Sequence, residues 1–333
     1  MRVVTYDRRR VIGSALAAVV LAGCGGSNTQ APSGSSTRAA AGAKRTLTSV
    51  SAASVGSLPA AVEDAAIAPL ADGRLALLGG IDSSQSSTDA ILTLGGGGAT
   101  QAGTLPIPQH DAEATALGSS VYVFGGGQIS SYDHILRYDP SAGAVTQAGA
   151  LPTPASDVAV ASIGNTAYVV GGYTGSSPLD TIVAWSPGAA PRVVGHLPTP
   201  VRYAAVAVAQ GGIVIAGGTA PSGPTASILS FDPSTGAVRQ LGRLPFPLTH
   251  ASAVYLDGRV VVVGGRRELA GAQTQSILAI DPATGAALTV GQLPQPLSDA
   301  AVALSGDRIT VAGGDSGSGP QSSILALTPH ETG

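Results

Sequence analysis

An all-β ring of six four-stranded sheets, a six-bladed β-propeller, is the fold this sequence predicts, on three observations. Leu-Pro recurs at 58, 105, 151, 197, 244 and 293, at spacings of 47, 46, 46, 47 and 49 residues. A Gly-Gly pair keeps step with it at Gly79-Gly80, Gly125-Gly126, Gly171-Gly172, Gly217-Gly218, Gly264-Gly265 and Gly313-Gly314. Each unit divides into four short β-rich runs, and no segment of helical length carries an apolar period of 3.6. Composition agrees: 44% hydrophobic and 11% charged residues with 46 Gly and 23 Pro suit many short strands joined by tight turns.

Before the repeats, Arg8-Arg9-Arg10, an apolar run from Val11 to Ala22 and Leu21-Ala22-Gly23-Cys24 read as the three regions of a secretory signal. The apolar run is too short to span a bilayer. Its end resembles the lipobox of bacterial lipoproteins, in which the cysteine thiol takes a diacylglycerol and becomes the first mature residue; here that residue is Cys24, the sole cysteine. The expected organisation is a signal peptide over 1–23, a lipidated cysteine and flexible linker over 24–45, and a propeller over 46–333. The protein is then exported and lipid-anchored, on the outer face of the cytoplasmic membrane or in the periplasm or outer membrane. The basic segment also resembles a twin-arginine signal, so both export routes stay open. With no second cysteine the fold has no intramolecular disulfide and is held by packing. Removing residues 1–23 leaves 13 basic and 19 acidic side chains, a balance that opposes nucleic acid as a partner.

Within the units, the fifth shows the strands best, at 251–256, 260–263, 276–280 and 287–291. The first strand of each unit is built from small residues, as in Ala204-Ala205-Val206-Ala207, which suits six strands crowding one axis. Asp-Gly at 72 and 257 and Gly-Asn at 164 tighten the first hairpin, because these residues accept positive φ at little cost. Asp139-Pro140 with Gly143, Asp232-Pro233 with Gly236 and Asp281-Pro282 with Gly285 mark the last hairpin. The last unit stops after a third strand near 323–327, and an orphan β-like stretch at 46–56 precedes the first Leu-Pro. Together they complete one blade and pair the two ends of the ring.

The spacing, the double glycine, Tyr122 and Tyr168 shortly before it, and the Asp-Pro-x-x-Gly turns resemble the kelch repeat over roughly residues 46–329. The resemblance departs from the family in one respect. The tryptophan usual near the fourth strand is missing, Trp185 in a third strand being the only one, so aliphatic side chains are expected between blades. The family's galactose-oxidase-like copper enzymes use a cysteine-linked tyrosine, which a chain whose one cysteine is lipidated does not supply.

Six residues after each repeat's Leu stand Asp64, Asp111, Asp157, Tyr203, His250 and Asp299, equivalent positions at the entry to the innermost strands. They are expected at the channel mouth, with two roles open: holding a hard cation such as calcium, or capping local turns. Arg202 and Arg266 join them as candidate cationic donors, with Arg267 and Glu268 nearby, suiting an anionic or sugar ligand. Tyr132, His134 and Tyr173 are further candidates. Gly314-Asp315-Ser316-Gly317 is a loop entrance rather than a nucleophile segment, since no positioned base accompanies it. The glycine runs lack a Gly-Lys-Ser/Thr sequence, and zinc lacks Cys-His spacing.

The reading is a monomeric, envelope-anchored, non-catalytic module whose loop face binds a protein or carbohydrate, with no resident cofactor. The alternative comes from the family, whose six-bladed bacterial members include sialic acid mutarotases. It needs only acid-base side chains in the channel, for which Arg202, His250 and Asp299 are the suspects.

Overall fold

The structure is a computed structural model that describes residues 46–332; the signal-like segment, Cys24 and the linker lie outside the described residues. The run Val260-Val261-Val262-Val263 in the second strand of the fifth unit is buried on both faces, which explains its lack of polar alternation. Strand follows strand outward in antiparallel order. In the second blade the order is His110–Leu117, Ser120–Gly127, His134–Asp139, Ala144–Ala150. In the fifth, Ser252 pairs with Val263, Val260 with Ile280 and Ser276 with Gln292.

The sixth blade is completed from both ends of the chain, as expected. Gln321–Thr332 pairs antiparallel with Thr46–Glu63, from Thr46 opposite Thr332 to Val62 opposite Gln321. A parallel bridge from Val50 to Gly291 also ties this outermost strand to the fifth blade. The innermost strands contact one another in cyclic order, with Ala301–Ser305 meeting Ala66–Pro69. The described residues form six apolar clusters, one between each pair of adjacent blades. No blade therefore buries its faces alone.

The double glycine has a steric reason. A Cβ at Gly171 would collide with the carbonyl of Val201 in the next blade, while the N–H of Gly172 donates to that same oxygen at 2.9 Å. The arrangement repeats at every blade junction, ending with Gly314 donating to Val62 at 2.8 Å.

One expectation is corrected. Aromatic side chains, not only aliphatic ones, fill three of the junctions. Tyr138, Trp185 and Phe231 lie within one residue of the end of the third strands of blades two, three and four, and each lies against a glycine in the fourth strand of the preceding blade: Gly103, Gly149 and Gly195. Trp185 is 2% exposed and also packs on Tyr122 and Phe124, with ring centroids 5.1 and 5.6 Å away. The missing side chain at one glycine makes room for the ring, so the large residue moved strand without leaving the interface.

Candidate functional site

Asp64, Asp111, Asp157, Tyr203, His250 and Asp299 all sit where the chain turns into an innermost strand, and all six adopt a left-handed backbone with φ between 52° and 56°. This conformation is uncommon outside glycine and tolerated best by Asp and His. It turns each N–H toward the preceding blade. Asp111 donates to Asp64, Asp157 to Asp111, Tyr203 to Asp157, His250 to Tyr203, Asp299 to His250 and Asp64 to Asp299, at 2.9 to 3.2 Å. The result is a closed cycle of six backbone hydrogen bonds around the axis.

The side chains of these six residues line one pocket of about 60 Å³, with room for a handful of water molecules. Two of the acids pair with arginines from neighbouring blades. Asp157, 3% exposed, accepts from Nη1 of Arg202 at 2.9 Å, and Asp299, 1% exposed, accepts from Nη2 of Arg266 at 2.9 and 3.0 Å and from Ser298 Oγ at 2.5 Å. Both partners come from loops of neighbouring blades. Asp64 and Asp111 line the same pocket without a guanidinium partner, and Asp111 Oδ1 is buried without a hydrogen bond. Burial and the neighbouring acids hold Asp64 and Asp111 well above the usual carboxylate range. Burial raises Asp299 as well, despite Arg266.

His250 is neutral: burial lowers its affinity for a proton, and the charges of Arg266 and Arg202 add to the effect. Its ring stacks on Tyr203 with centroids 3.6 Å apart, and its Nδ1 shares a hydrogen bond with Thr249 Oγ1 at 3.0 Å. Arg202 lies over Tyr173 at 4.4 Å and over Tyr203 at 5.5 Å. The rim of blades three to five is thus a continuous set of flat faces: phenol, guanidinium, phenol, imidazole.

The structure also separates residues that the sequence put together. Arg267 turns away to cover Phe246 at 3.9 Å, and Glu268 is exposed. Tyr132 packs at a tilt against His134, with ring centroids 5.0 Å apart, and His134 Nε2 hydrogen-bonds Gln109 Oε1 at 2.6 Å. Asp315 accepts from the N–H groups of Gly317 and Gly319, which makes Gly314-Asp315-Ser316-Gly317 a self-capped loop. Among the described residues no group of three or more His, Asp and Glu side chains is arranged to hold a metal ion.

Two further acids stand at or beside the ring residues. Glu63 precedes the ring residue of blade one, and burial with the charges of Asp315 and Asp299 pushes it up to about 7. Glu113 lines the mouth pocket from the innermost strand of blade two, and burial pushes it up to about 8. A signal for Glu113 was present: the equivalent places in the other units hold Ala66, Ala159, Ala205, Ser252 and Ala301.

Residues 154–189 match the Kelch motif. A solved structure titled "Structure of YjhT" superposes with a TM-score of 0.71 at 13% sequence identity, over 84% of this chain and 99% of that one. No curated protein matches the sequence.

Proposed function

Since the chain is a kelch-repeat β-propeller, we propose that it is a recognition module that binds a polar, carbohydrate-like ligand, free or on a protein surface, at the mouth of its channel. The observation that carries this reading is the rim of flat faces, with Arg202 between Tyr173 and Tyr203 and Tyr203 stacked on His250. A ligand on this rim would meet ring edges, because the facing surfaces are spent on one another, and the Arg202 guanidinium supplies directed donors. The floor pocket of about 60 Å³ takes only a narrow group, so the body of the ligand lies on the rim.

The acid-base alternative of the mutarotase type draws support from the neutral His250, whose Nε2 lies 3.9 Å from Asp299. It is the weaker reading, because Asp299 is committed to Arg266 and Ser298 and has almost no accessible surface. Positioned groups of this kind build a floor more readily than they exchange protons.

The proposal extends to anchoring. Thr46 begins the strand that ends beside the mouth at Glu63, so the chain enters the propeller at the end opposite the mouth. A lipid at Cys24 would tether the propeller to a membrane. Thermal unfolding of the full-length protein with a saccharide panel including sialic acid, and with calcium or EDTA, tests the reading. A raised midpoint that disappears in Arg202→Ala and Tyr173→Ala supports it, and no shift with any saccharide sinks it. Anomer exchange followed by NMR separates the enzymatic alternative, and incorporation of labelled palmitate that Cys24→Ser abolishes tests the anchor.

A further inference from the structure

Two cavities meet on the propeller axis. The mouth pocket and a second cavity of about 170 Å³ share Glu113, Ala204, Ala251 and Ser252 in their walls. Further along, the second cavity is lined by aliphatic side chains, among them Val160, Val206, Val254 and Leu304. Ser252 commits its hydroxyl to the carbonyl of Ala300 at 2.9 Å. Glu113 is therefore the ionisable group facing this space, and its carboxyl accepts one hydrogen bond, from the N–H of Ala114 at 3.1 Å. The fold does not need an acid there, since the other five units close the same position with Ala or Ser. A buried carboxyl without a cationic partner is costly, and one that meets a cation is not.

We propose that Glu113 is the deep contact of the mouth site and receives a primary ammonium carried on an unbranched alkyl stem, the chemistry of a lysine-like side chain or an alkylamine. The inference rests on the mouth being the binding face. The stem passes the small apolar side chains of the mouth pocket, Ala65, Ala112, Ala204 and Ala251, and the ammonium lets the carboxyl ionise in place. Asp64 and Asp111, which no guanidinium pairs, line the approach. A carboxylate tip finds no unpaired cation in these walls, and a sugar ring is too broad for the floor pocket.

Titration calorimetry of the full-length protein at pH 7 with pentylamine, pentanol and pentanoate tests this. The expected result is saturable binding of pentylamine alone, with release of a proton detected by comparing buffers of different ionisation enthalpy. Affinity falls by about tenfold or more in Glu113→Gln and in Glu113→Ala. The alanine variant copies the residue found at this place in blades one, three, four and six, so it folds. Equal binding of pentanol, or amine binding that neither variant weakens, overturns the proposal. If saccharides bind through Arg202 and Tyr173 while pentylamine does not bind, the mouth reading stands and the role of Glu113 falls. If nothing binds, both fall.

Discussion

The N–H of Asp64 donates to the carbonyl of Asp299 at 3.0 Å, and this bond joins the first innermost strand to the last. It holds only while the sixth blade stays in place, and that blade depends on Thr46–Glu63 pairing with Gln321–Thr332. Deleting residues 46–57 should expose the edge of Gln321–Thr332 and release the ring at this junction. Hydrogen exchange at the amides of Asp64 and Asp299 should then quicken far more than at Asp157. Uniform protection around the ring would show that closure does not depend on the terminal strand.

The two glycines of blade three separate conformation from collision. Gly164 has φ 59° with open space around it, whereas Gly171 has φ 61° and the Val201 carbonyl in the way. Gly164→Ala should cost about 1–2 kcal/mol, the penalty of the left-handed backbone alone. Gly171→Ala should cost clearly more in denaturant unfolding, since backbone must move; equal losses would refute the steric account.

Arg266 and Arg202 occupy parallel roles but should not be equal. Removing Arg266 leaves Asp299 with almost no solvent, and Arg266→Ala should lose about 3–5 kcal/mol. Arg202 is 32% exposed, so water reaches Asp157 and Arg202→Ala should lose less. The double variant Arg266→Met with Asp299→Asn should recover much of the loss. A double variant as unstable as the single one would count against the ion pair as the cause.

Stability should fall between pH 6.5 and 8. Glu113, at about 8, and Glu63, at about 7, keep protons that the unfolded chain has already lost above about 4.5. The native state binds more protons over that window, so rising pH destabilises it. Neutral His250 works in the other direction below about 6.5, where the unfolded histidine gains a proton. Glu113→Gln should raise stability at pH 8 by roughly 2–4 kcal/mol and flatten the decline. A slope the variant leaves unchanged would place the titration elsewhere.

Trp185 is the only tryptophan and reports on one junction, between blades two and three. Trp185→Ala should cost about 3–5 kcal/mol. Trp185→Phe should cost much less, because its buried indole N–H has no hydrogen-bond partner to lose. A large loss in the phenylalanine variant would reveal a partner for that N–H.

The sequence alone determined the architecture. A repeat of 46 to 49 residues with a double glycine in each unit admits few folds, and the leftover strands at 46–56 and 323–327 announced their own pairing. It also located the six ring residues, because equivalent positions in a repeat become neighbours around an axis. What those residues do was left to the tertiary structure. Whether Asp157 caps a turn or pairs with Arg202 depends on where a neighbouring blade places its loop, and local sequence carries no such information. Trp185 could be identified as displaced, but not as facing Gly149, because that contact joins two blades. Glu113 was visible as a break in the repeat, yet only the closed ring shows that it faces a cavity. Periodicity fixes which elements form, whereas burial and charge pairing arise where elements distant in the chain meet.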